Sequence, residues 1–94
     1  MPPEERRPAR VPDNELHIRR LTVEEALPKL DRYIHDAFMA DLGQVRIVHG
    51  KGTGTLRQVV WRELSQHSLV QSYRLGEYGE GGIGVTIVHL FQRR

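Results

Sequence analysis

Residues 49–54, His-Gly-Lys-Gly-Thr-Gly, gather three glycines, an imidazole, an ammonium and a hydroxyl into six positions. Glycine at that density costs folding entropy, so either the turn is geometrically demanding or something must come close to its backbone. Such groups suit a phosphate ester: bare amides approach its oxygens, Lys51 brings a mobile positive charge, and His49 can pass a proton. A second polar pair, His17 and Arg19, alternates with Leu16 and Ile18. In a strand this alternation sets both polar residues on one face. His17, Arg19, His49 and Lys51 thus bring two imidazoles able to exchange protons and two cations suited to an anion.

Strands and helices must position them. Leu16–Arg19 alternates as a short strand with one buried face. Thr22-Val23-Glu24-Glu25 matches the capping box, in which a threonine hydroxyl and the glutamate three residues on satisfy each other's free amides. The helix after it carries Val23, Ala26, Leu27, Leu30, Ile34, Ala37 and Phe38 on one stripe. Pro28 removes a donor in its second turn and predicts a bend there, and Gly43 predicts the end of the segment. Val45–His49 is the second strand, and Gly54 or Thr55 opens a second helix with Leu56, Val59, Val60, Glu63 and Leu64 at helical spacing. Val70–Leu75 reads as a third strand, Gly76–Gly84 as a mobile glycine-rich loop, and Val85–Phe91 as a fourth strand. The order β-α-β-α-β-β implies an α/β two-layer sandwich, a four-stranded mixed sheet with both helices on one face and the other face open.

The bulk properties narrow the function. Ninety-four residues make one domain. The absence of cysteine rules out disulfides and thiolate metal sites and predicts a cytoplasmic setting. No apolar run approaches the ~20 residues of a membrane span, so no membrane partner is expected. Residues 1–14 hold four of the five prolines and read as a flexible leader, with 15–94 as the domain. His35, His67 and His89 have no partner at metal-ligand spacing and read as background. Trp61 and Tyr73 are candidates for stacking on bases, with packing as the alternative.

The 49–54 turn lies at the carboxyl end of a strand and the amino end of a helix, where unpaired amides and the helix dipole receive anions. Lys51 is followed by Gly52 and not by Ser or Thr, so the P-loop frame fails, and the spacing is not G-x-G-x-x-G either. A backbone phosphate suits the turn better than a bound mononucleotide. The alternative is a tight turn whose glycines relieve strain, with Lys51 pointing to solvent.

His-Gly-Lys-Gly-Thr-Gly followed by Thr55-Leu56-Arg57 resembles the signature of the Smr (small MutS-related) domain. Leu16-His17-Ile18-Arg19 stands where that family has its L-D-L-[HR]-G stretch. Gly79-Glu80-Gly81-Gly82-Ile83-Gly84-Val85-Thr86 is similar to the G-E-G-G-x-G-V-T segment of the version at the carboxyl end of MutS-II paralogues. The resemblance spans about residues 15–90 and implies a fold like the carboxyl-terminal domain of translation initiation factor three. It also implies a module that binds DNA or RNA and nicks it, within a parent acting in recombination control or ribosome rescue. On that basis His49, Gly50, Lys51, Gly52, Thr53 and Gly54, with Arg20 and Arg57, are candidate nucleic-acid contacts, and His17, Arg19 and His49 candidate catalytic residues.

The chain departs from the pattern at two positions. His17 replaces the aspartate of nuclease-competent members, and Arg20 replaces a glycine. Histidine can act as a general base but is a poor ligand for hard Mg²⁺. A Mg²⁺ or Mn²⁺ requirement is therefore left open, with Glu77 and Glu80 as alternative acids. For His17 itself the alternative is a solvated surface residue. The isolated domain is expected to be monomeric, and the rival function is a non-catalytic module that docks its parent protein on the ribosome or another protein.

Overall fold

A computed structural model of the protein describes residues 13–93. All but Asp13 and Asn14 of the expected leader lies outside the described residues. Those two are held: the Asp13 carbonyl accepts the Tyr33 hydroxyl, and the Asn14 carbonyl accepts the Arg46 N–H.

The chain forms β1 (Glu15–His17), α1 (Val23–Met39), β2 (Gln44–Val48), α2 (Thr55–Gln66), β3 (Val70–Leu75), a 3-10 turn (Gly82–Gly84) and β4 (Val85–Leu90). The sheet runs in the order β1-β2-β4-β3, with β1 parallel to β2 and the other two pairs antiparallel. It is the expected four-stranded mixed sheet. Leu16 pairs with Ile47 in the register of β1 and β2, so the alternation of β1 sends Leu16 to the core and His17 to the other face. Val45 and Ile47 of β2 and Val88 and Leu90 of β4 meet Leu30, Ile34 and Ala37 of α1 and Val60 and Leu64 of α2 in one core. Val48, Val85 and Ile87 form a separate apolar strip on the opposite face. With the helices on one side, that second face is where β1 and β2 present their polar residues.

The helix ends show which local signals acted. Thr22 caps α1 as its sequence predicts: Glu25 N–H donates to the Thr22 hydroxyl at 3.1 Å, and Thr22 N–H donates to the Glu25 carboxylate at 3.0 Å. α1 continues unbroken through Pro28. Its end corrects the expectation for Gly43. Asp41 takes the left-handed conformation (φ 64°), Asp41 N–H returns to the Phe38 carbonyl and Leu42 N–H to the Ala37 carbonyl. That is the six-to-one and five-to-two closure usually completed by glycine, and aspartate tolerates it.

Strand β1 begins and ends earlier than the alternation suggests, because Leu21 N–H bonds the Ile18 carbonyl and closes a turn through Arg19 and Arg20. Arg20 sits at φ 70°, a left-handed conformation costing an ordinary residue about 1 kcal/mol. The glycine this position carries in the resembling pattern would adopt it freely.

Segment 76–84 corrects the expectation of an irregular loop, because one carboxylate organises it. Glu80 takes a two-pronged bond from the Arg74 guanidinium at 2.8 and 3.0 Å and a third bond from Glu77 N–H at 2.8 Å. Gly82 N–H also reaches the Glu77 carbonyl, and the chain then enters the 3-10 turn before β4.

Candidate functional site

The strand pairing of β2 stops at Val48 because the next two amides turn to a single acceptor. His49 N–H and Gly50 N–H both donate to the Gly84 carbonyl, at 3.1 and 2.9 Å. The 49–54 turn is thereby pinned to the end of the 76–84 segment. Gly50, Gly52 and Gly54 take positive φ (84°, 28° and 88°), which lets the chain coil tightly through the turn. Among the described residues, the N–H groups of Lys51, Gly52, Thr53 and Gly54 have no protein acceptor. Gly54 caps α2 without any side chain, so the positive end of that helix is also open. A hollow of about 180 Å³ lies over these amides, with Arg20, Lys51 and Arg57 among its lining residues.

A larger cleft of about 590 Å³ continues from it across the open sheet face. His17, Arg19, His49 and Lys51 all line it, so the constellation drawn from sequence comes together in space. Arg20 borders both hollows, while Thr53, Gly54 and Arg57 border only the smaller. The Arg19 stem packs over Gly50, and the Lys51 stem lies against Gly84. His17 is exposed, with Nε2 3.6 Å from the Glu15 carboxylate, whose other oxygen lies 3.9 Å from the Arg46 guanidinium.

His49 differs from His17 in kind. Its side chain is buried, and Nδ1 lies 3.0 Å from the Gly50 carbonyl while Nε2 lies 2.8 Å from the Thr86 hydroxyl. Both nitrogens are engaged by the protein. Burial pushes its pKa below the ordinary histidine value; the Gly50 bond pulls upward and the Arg57 charge downward again. The buried ring, tied to Gly50 and to Thr86, helps to hold the shape of the turn.

The cleft offers poor ligands for a hard divalent cation, which favours several oxygens. Glu15 is shared between His17 and Arg46, and Glu80 is clasped by Arg74. The donor set does not fit a dedicated Mg²⁺ or Mn²⁺ site: Glu80 is held by Arg74, and the exposed Glu77 does not line the cleft. The Arg74 bond, strengthened by the Glu77 amide, holds the Glu80 carboxyl down at about 2. A depressed carboxylate stabilises the fold above its unfolded pKa and loses that contribution as pH falls through the folded value. Stability of the wild type over Glu80→Gln should therefore be full above about pH 4.5 and vanish towards pH 2, read as converging urea midpoints.

Two background assignments need correction. His35 and His67 meet at Asp31: His67 Nε2 lies 2.9 Å from the Asp31 carboxylate, and the His35 ring stands edge-on 5.7 Å away. The four-residue spacing of Asp31 and His35 was the available signal; nothing local announced His67. Because Leu69 N–H donates to His67 Nδ1, Nε2 carries the proton given to Asp31, and the ring fastens the end of α2 to α1. Trp61 and Tyr73 stack edge to face on each other at 4.8 Å, partly buried against the core, and Trp61 N–H donates to Thr86, as the packing alternative has it.

The chain is a small α/β module, a β-α-β-α-β-β sandwich whose open face ends in a cationic, glycine-rich turn. The chain belongs to the Smr domain family, whose pattern matches residues 16–91. It is 57% identical over 76 residues to Endonuclease MutS2 of Thermomicrobium roseum and 55% identical over 78 residues to that of Clostridium beijerinckii. These matches cover 81% and 83% of this chain but about a tenth of the length of each relative. The crystal structure of the Smr domain of Thermus thermophilus MutS2 superposes with a TM-score of 0.80 at 43% identity, covering 82% of this chain and 96% of that one. YdaL, a stand-alone small MutS-related protein of Escherichia coli, gives 0.78 at 30% identity, covering 87% of this chain and 68% of that one. No helix among the described residues is long and apolar enough to cross a membrane.

Proposed function

We propose that this Smr domain grips the sugar–phosphate backbone of DNA or RNA without reading its sequence, and nicks the strand laid across the open-face cleft. The observation that carries the proposal is the set of four unpartnered amides, Lys51 to Gly54, at an uncapped helix start beside Arg20, Lys51 and Arg57. Backbone amides, a helix dipole and cations recognise phosphate, and none of them distinguishes one base from another. The relatives named Endonuclease MutS2 support the nicking half.

For hydrolysis, a water attacks phosphorus and gives its proton to His17, the P–O bond to the leaving oxygen breaks, that oxygen takes a proton from solvent, and His17 returns its own to solvent. Arg19 and Lys51 steady the negative charge that builds on the phosphoryl oxygens. Glu15 orients His17, and His49 holds the turn in shape. In this reading the module serves a longer MutS2-type chain in recombination or on stalled ribosomes.

Titration of duplex DNA and single-stranded RNA between about 50 and 200 mM salt should show affinity falling steeply, because each phosphate contact releases a counterion. Supercoiled plasmid should be nicked by the wild type and not by His17→Ala, which should still bind. Failure to bind either polymer would leave the docking role for the ribosome or a protein.

A further inference from the structure

Three buried or half-buried side chains from distant parts of the chain meet behind the amide turn, and their chemistry leaves one arrangement of protons. The Trp61 indole N–H can only donate, and its acceptor is the Thr86 hydroxyl at 2.9 Å. The Gly50 carbonyl can only accept, so His49 Nδ1 bears the ring proton that it receives across 3.0 Å. His49 Nε2 is then a lone pair, and the Thr86 hydroxyl donates to it across 2.8 Å. Thr86 is fully buried and His49 is 4% exposed, so water does not compete for these bonds.

The bond from Nδ1 to the Gly50 carbonyl orients the next peptide. The peptide joining Gly50 and Lys51 is trans, as are all the described peptides, so its N–H points opposite to its C=O. A carbonyl drawn back onto the His49 ring sends the Lys51 N–H away from that ring, and Lys51 to Gly54 all line the smaller hollow. We infer that Trp61, Thr86 and His49 are positioning residues whose relay fixes one tautomer of His49 and so aims the Lys51 amide at a bound phosphate. This rests on the phosphate-gripping reading above and adds residues that touch no nucleic acid.

The relay makes opposite demands on two substitutions at one position. Thr86→Val keeps the volume and removes the hydroxyl, whereas Thr86→Ser keeps the hydroxyl. Nitrogen-15 NMR of the wild-type imidazole should show His49 with its proton on Nδ1. Thr86→Val should lose that single-tautomer signature and bind a short DNA duplex about tenfold more weakly, with Thr86→Ser restoring both. A wild-type ring protonated at Nε2 overturns the inference before any variant is made, which covers the case of a valine variant that does not fold. So does a folded Thr86→Val that keeps both the tautomer and the affinity. A wild type with the stated tautomer but no affinity for DNA or RNA defeats the phosphate-gripping reading instead, and with it the purpose assigned to the relay.

Discussion

Lys51→Glu lowers affinity for duplex DNA about a hundredfold at low salt, a loss of about 2.7 kcal/mol, and leaves the fold intact. Lys51 is exposed and, among the described residues, has no ion-pair partner, so its reversal breaks nothing in the protein. The new carboxylate would lie beside the open start of α2, where negative charge is stabilising. The same carboxylate competes with phosphate for the free amides while the ammonium is lost, and these two effects act together on binding. Lys51→Ala separates them. It should cost only the charge and flatten the dependence of log affinity on log salt by about 0.9, the contribution of one phosphate contact. Filter binding over a salt series measures both variants, and thermal unfolding shows that neither acts through stability.

Gly81→Ala destabilises the domain by about 3 kcal/mol or more, through a clash as well as backbone strain. Gly81 has φ 107°, a conformation that a side chain resists, and a Cβ built there stands 2.3 Å from the Val85 Cγ2 methyl. Val85 is buried in the apolar strip of the open face and cannot swing aside. Gly79→Ala is the matched control in the same segment: φ is 90°, but nothing lies within 4 Å of its Cβ. That control should lose only the roughly 1–2 kcal/mol of left-handed strain. Urea unfolding separates the two, and equal losses would mean that Val85 gives way. Because Gly84, three residues on, anchors the amides of His49 and Gly50, the Gly81 variant should also bind nucleic acid more weakly than the control.

These two glycines show which parts of the molecule were legible in its sequence. The capping box at Thr22 and the bounds of β3 rest on neighbours within a few residues and stand as the pattern predicts; the stripe of α1 holds at Ala26, Leu30, Ile34 and Ala37 but missed the buried Tyr33. The hexapeptide was legible for the same reason, since density of glycine beside a lysine is a local property. What escaped depends on partners far along the chain. Thr86 lies 37 residues from the histidine whose tautomer it sets, and His67 lies 36 residues from Asp31. Glu80 turned a loop that looked irregular into an ordered one through an arginine on β3, which composition alone does not reveal. Arg20 and Asp41 escaped for a different reason. Both adopt a glycine-like conformation, and sequence patterns assign such positions to glycine itself.

His49 shows the limit most clearly. Its place beside the turn suggested a catalytic base, and the same place, once Thr86 and Gly50 are seen on its two nitrogens, gives it a part in aiming the turn. His17, by contrast, stands on an exposed strand face beside Glu15.

The amide signals of the 49–54 turn test the central claim most directly. In a proton–nitrogen correlation spectrum titrated with a short DNA duplex, the resonances of Lys51, Gly52, Thr53 and Gly54 should move downfield and saturate together. The amides of His49 and Gly50, already bonded to Gly84, should move far less. Tight binding with the four turn amides unmoved, and the shifts gathered on some other surface, would contradict the account.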